Sequence, residues 1–151
     1  MPLKLLAPLY EDFELTRTDE KYGEPNGEPT TVTVKQAAQH EHERRQLLFS
    51  KLERSFSDLK PDVVTLVQDI PMEELKRLEV WLTLCESNIL DENGKELFPS
   101  KKGSNGHPRL SMSQTAFNEA WGKLPPDVAT EIHDKVLKVN KIWSGRSGEE
   151  F

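Results

Sequence analysis

The chain has 151 residues, 35% of them hydrophobic and 30% charged, with a net charge of −6. That length fits one domain with a core of its own, and an acidic chain without a basic cluster argues against nucleic-acid binding, because phosphate contacts need Lys and Arg. The lone cysteine, Cys85, excludes an internal disulfide and a multi-cysteine zinc site and fits a reducing compartment, while no apolar run approaches the roughly 20 residues of a membrane span.

The opening MPLKLLAPLYEDF carries one lysine and a short apolar run that soon turns acidic. It reads as neither a signal peptide nor a transit peptide. Phe13 and Leu15 alternate with Glu14 and Thr16, which predicts an extended segment within residues 3–16. Residues 17–29, RTDEKYGEPNGEP, are polar with two Gly and two Pro, a loop longer than most connections. Residues 30–34 alternate again, with Val32 and Val34 on one side. The simplest pairing joins 11–16 to 30–34 as a long-looped hairpin.

Thr33-x-x-Gln36 reads as a capping box. The helix it opens runs to about Phe56, with Ala38, Leu48, Leu52 and Phe56 near one face. Its start, KQAAQHEHERRQ, is polar and belongs at the rim. Ser57 to Pro61 breaks the helix, since a residue before proline is biased away from the α region. Residues 62–69, DVVTLVQD, are β-branched, yet Val63, Leu66, Val67 and Ile70 fit helical spacing. A short helix is the preferred reading, as no strand partner lies nearby.

The rest of the chain is organised around residues 70–98, IPMEELKRLEVWLTLCESNILDENGKELF. Pro71 suits a first helical position, and Glu73 and Glu74 suit the positive end of the helix dipole. Leu75, Leu78, Leu82 and Cys85 recur at helical spacing, joined by Val80 and Trp81, which predicts a central helix. Asn93-Gly94 between two apolar pairs is a strong hairpin signal. Residues 99–108, PSKKGSNGHP, read as a loop. Ser111-x-x-Gln114 is a second capping-box pattern, opening a short helix with Phe117, Ala120 and Trp121 that Gly122 can stop. The last helix runs from about Asp127 to Ile142, with Val128, Ile132, Val136, Val139 and Trp143 as its stripe. The tail SGRSGEEF has nothing to bury. Together these predict a mainly α (α+β) fold: one domain over residues 1–143, four to five helices, a small N-terminal β-hairpin, a short hairpin at Asn93-Gly94, and a flexible tail over 144–151.

No catalytic motif emerges. His40-Glu41-His42-Glu43 lacks the four-residue His spacing that places two ligands on one helical face, and Arg44 stands where the second His belongs. Asp91-Glu92-Asn93-Gly94 begins like a calcium loop but lacks its later oxygen ligands. Lys101 to His107 could attract phosphate through lysines and amides, but it lacks the order of a P-loop. Cys85 with His107 or His133 would need a reactive thiol, whereas a cysteine on an apolar face is usually inert. Trp81, Trp121 and Trp143 read as core members. No catalytic residue, metal ligand or cofactor is therefore predicted.

Three stretches carry a family pattern: TVTVKQAAQHEHERR, LTLCESNILDENGKELF and LSMSQTAFNEAWGKLPPDVATEIHDKVLKVNKIW. Over residues 28–143 the chain resembles tail assembly chaperones of long-tailed, siphovirus-like bacteriophages. The resemblance implies a non-enzymatic protein of the host cytoplasm that binds the tape measure protein, keeps it soluble and helps recruit tail tube subunits. Such proteins leave before the tail is complete, and this chain would match the short form of those that also have a frameshift-extended one. An apolar groove for an amphipathic helix is the expected recognition mode. Its candidate residues are Leu48, Leu52 and Phe56 on the first long helix and Val136, Val139 and Trp143 on the last, although for any single one plain core packing is the preferred reading. The acidic balance would favour a basic or mixed partner and disfavour nucleic acid. Self-association stays open. The alternatives are a virion structural subunit, a small phage-encoded regulator or inhibitor, and a metal-dependent enzyme; Lys and Arg interspersed with Asp and Glu argue against a nucleic-acid mimic.

Overall fold

A computed structural model describes residues 9–16, 29–57, 61–104 and 106–144, with backbone alone for residues 49, 51–57 and 61–71. The predicted loop over 17–29 and the tail over 144–151 lie outside the described residues, except for Pro29 and Ser144.

Strand β1 (Tyr10–Glu14) pairs antiparallel with β2 (Thr31–Lys35), Phe13 opposite Val32 and Glu11 opposite Val34. The alternation of TVTVK sends Val32 and Val34 into the core, while the other three residues are half-buried. The hairpin read from the alternation is thus present, one residue out at the start. A third strand, β3 (Leu84–Ser87), pairs with the free edge of β2 and makes β2 the centre of the sheet. Leu84 and Cys85 therefore belong to a strand and not to the predicted central helix. Both are buried, and the unpaired edge of β2 offers their backbone a ladder, so pairing overrides the helical spacing.

Helix α1 (Gln39–Ser57) begins five residues later than the Thr33-x-x-Gln36 pattern suggests. Thr33 lies in mid-strand, its hydroxyl donating to Asp12 Oδ1 at 2.6 Å. The working cap is Glu41, whose carboxylate accepts the Ala38 N–H at 2.9 Å and the Lys35 ammonium at 2.6 Å. Helix α2 (Pro61–Thr83) is one helix of 23 residues where a short helix and a central helix were predicted. Pro71 lies inside it instead of at its first position. The missing N–H removes one rung of the ladder, and the long helix forms across that gap.

Two further expectations are corrected in the next segment. The stretch around Asn93-Gly94 is a tight turn with one isolated bridge, Leu90 to Glu96, not a pair of strands. Gly94 takes φ 80°, and Asp91 Oδ1 accepts the N–H groups of Asn93 and Lys95 at 2.8 and 3.0 Å. Those bonds, the Lys95 one foremost, hold the Asp91 carboxyl below the usual carboxylate range. The predicted loop over 99–108 instead contains β4 (Ser100–Lys102) and β5 (Pro108–Leu110), an antiparallel pair turning through Gly106 at φ 83°.

Helix α3 (Gln114–Trp121) is capped by Ser113, which accepts the Ala116 N–H at 3.1 Å, and not by Ser111; Gly122 ends it. The predicted last helix is two pieces, α4 (Pro126–Val139) and α5 (Lys141–Ser144), broken at Asn140. Its stripe of Val128, Ile132, Val136, Val139 and Trp143 is buried throughout, against Val32, Val34, Leu78, Val80 and Phe117. Five helices and two antiparallel sheets among the described residues make the fold α+β. The mainly α reading is overturned by β3 and by the β4–β5 hairpin. Among the described residues no helix is long and apolar enough to cross a membrane.

Candidate functional site

A charged spine runs through the interior. Glu79 on α2 is fully buried; its Oε2 accepts from Arg45 Nε at 2.6 Å, and its Oε1 lies 2.7 Å from His133 Nε2. Arg45 on α1 and His133 on α4 are buried with it. The Arg45 guanidinium lies 5.3 Å from the ring centre of Trp143, whose indole N–H donates to His42 Nδ1 at 3.0 Å. A carboxylate survives here because both its oxygens have charged or polar partners. The spine ties α1, α2, α4 and α5 together and is structural. It occupies one nitrogen of His42, and among the described residues no group of three or more His, Cys, Asp or Glu is placed to hold a metal ion. Sequence reasoning missed Glu79, although it lies four residues after Leu75 and three before Leu82, on the buried face of the helix.

The groove candidates fall in three places. Leu48 is half-buried against the core. The side chains of Leu52 and Phe56 lie outside the described residues. Val136, Val139 and Trp143 are packed in the chain's own core. They offer a partner no surface, because the stripe of α4 covers β2 and α2.

Two clefts on the surface of the described residues meet at Arg44. The larger, about 390 Å3, lies between the start of α1, the end of α2 with β3, and β5. Tyr10 and His107 stack at its mouth, with ring centres 4.0 Å apart and planes within 6°. Trp81, Leu82, Leu84 and Leu110 supply its apolar wall, and Lys35, Arg44, Arg109 and Glu41 its charges. The smaller cleft, about 200 Å3, lies between α1, α2 and α3, with Leu47, Leu48 and Leu78 against Glu74, Arg77 and Asn118. Arg44 lines both and donates to Gln114 Oε1 at 2.8 Å. Leu47, 60% exposed, stands on the rim.

Cys85 lines the larger cleft but is only 2% exposed. Burial pushes its thiol up to about 11, so it is protonated at neutral pH and a poor nucleophile. The thiol lies 3.4 Å from the Thr83 carbonyl, while His133 is engaged by Glu79 and His107 by Tyr10. A raised thiol of this kind does not suit the nucleophile considered with His107 or His133. Comparison with protein-family models, with curated proteins and with solved structures found no match.

Proposed function

We propose that the chain is a bacteriophage tail assembly chaperone that holds the tape measure protein on the surface where the two clefts meet. The observation carrying this reading is the pair of clefts that share Arg44, walled by Trp81 and Leu110 on one side and Leu48 and Leu78 on the other, with exposed Leu47 at the rim. An amphipathic segment of a partner would lay its apolar side chains there. Rigid walls favour such binding, because little is left to order on association. The buried Arg45–Glu79–His133 bonds anchor α1 to α2 and α4 at the residue next to Arg44. The resemblance over residues 28–143 supplies the identity of the partner. In this reading the protein works in the host cytoplasm, performs no chemistry, and hands the tape measure protein to tail tube subunits.

Co-expression of the chain with the tape measure protein of its phage tests this. The expected result is a soluble complex that co-elutes on a sizing column and is lost with Leu47→Asp. A tape measure protein that stays insoluble while this chain elutes alone would overturn the reading.

A further inference from the structure

We infer that the larger cleft takes an acidic peptide segment bearing an apolar side chain, the carboxylates meeting Arg44 and Arg109 and the apolar group meeting the Trp81 and Leu110 wall. The inference rests on the groove reading only for where the partner sits. Although the chain carries −6 overall, the lining of this cleft carries three Lys or Arg against one carboxylate. That carboxylate, Glu41, is bound to Lys35 at 2.6 Å. Arg44 is bonded to the neutral amide of Gln114, so its charge is not cancelled there.

The hairpin strengthens the case independently. Its register sets Lys101 directly opposite Arg109, both exposed. Like charges facing each other across an antiparallel pair destabilise it, and neither strand contains an acidic residue. An anion seated against Arg109 would relieve that repulsion. The stacked Tyr10–His107 pair and the apolar wall add a surface that a bare phosphate would leave unused. A long polyanion would extend past these three cations onto a molecule of net charge −6, which disfavours nucleic acid. The charge at the site, not the average charge of the chain, sets the partner; the basic or mixed partner suggested by composition is replaced by an acidic one.

The test is fluorescence anisotropy with the full chain and three labelled peptides of about ten residues, long enough to fill the cleft in extended form: alternating Glu and Leu, Gln and Leu, and Lys and Leu. A labelled thymidine oligomer of similar length is the fourth probe. The Glu–Leu peptide is expected to bind, to weaken as salt rises, and to weaken about tenfold with Arg109→Glu or Arg44→Glu, as for a removed charge contact. Circular dichroism of each variant, with Arg109→Gln as a milder change, separates lost binding from lost folding. Equal binding of the Gln–Leu or Lys–Leu peptide, thymidine binding as tight as the acidic peptide, indifference to all three substitutions, or no binding by any probe would each overturn the inference. Acidic-peptide binding by a chain that fails to solubilise the tape measure protein would uphold the inference and sink the chaperone reading. The reverse pair of results would do the opposite.

Discussion

Glu79 shows how one side chain can decide several elements. It is held by Arg45 and His133 at 2.6 and 2.7 Å in a site closed to water. Glu79→Ala would leave the Arg45 charge buried without its carboxylate, and removing one partner of a buried pair typically costs about 3–5 kcal/mol. Urea denaturation should register that loss, and a loss under about 1 kcal/mol, the scale of an exposed pair, would contradict the account. Cys85 makes a second residue-scale prediction. Burial raises its thiol from 9.0 to about 11, so the folded chain holds this proton more tightly than the unfolded chain. Between pH 9 and 11 the unfolded state gives up the proton first, and stability falls as pH rises through that window. The contribution is on the order of 2 kcal/mol and vanishes in Cys85→Ala. Denaturation midpoints of wild type and variant should diverge across the window; parallel pH profiles would contradict the burial argument. Sequence reasoning already placed Cys85 as inert, but on the wrong element. Glu79 was invisible to it because EELKRLE looks like a solvated helix until the face of each residue is counted.

At the scale of elements, what could be read locally was read. Alternation in TVTVK gave the β1–β2 pairing, and the stripe from Val128 to Trp143 is buried as its spacing implies. Where tertiary pairing decided, local pattern misled. Leu84–Ser87 continues a helical repeat yet joins β2, and Ser100–Lys102 with Pro108–Leu110 lacks the β-branched residues that advertise a hairpin. The caps at Glu41 and Ser113 were displaced from the expected sites by a few residues, because a capping box is short and recurs by chance. Asn140 exposes another joint of this kind. Its side-chain oxygen accepts the Ala37 N–H at 2.8 Å, and its amide donates to the Lys35 and Val136 carbonyls at 3.2 and 3.1 Å, locking the end of α4 to the connection between β2 and α1. Asn140→Ala leaves buried groups unpaired and should cost about 2–3 kcal/mol in thermal or urea unfolding. A neutral result would show that this joint carries no load. Gly94→Ala isolates backbone conformation, since at φ 80° an added Cβ meets nothing within 4 Å. A loss of about 1–2 kcal/mol is expected from the left-handed backbone alone.

For the molecule as a whole, the proposed binding surface was the least legible part. The larger cleft joins Tyr10, Lys35, Arg44, Trp81 and Arg109 from five separate elements or connections. No window of sequence contains them, and the hairpin that delivers Arg109 was itself read as a loop. Half of the groove predicted from apolar spacing is core, because Val136, Val139 and Trp143 are needed to cover the sheet. The surface that remains open combines a few leucines with a local excess of positive charge on an acidic chain. That combination suits a partner that is apolar on one face and acidic beside it.

The central proposal is that the surface around Arg44 receives the tape measure protein. A photo-crosslinking amino acid placed singly at Leu47 and at Ile142 tests it in the co-expressed complex. Leu47 is 60% exposed on the rim where the clefts meet; Ile142 is 73% exposed and lines neither cleft. The account predicts a crosslink to the tape measure protein from position 47 and none from position 142. Crosslinks from both positions in equal yield, or from position 142 alone, would contradict it.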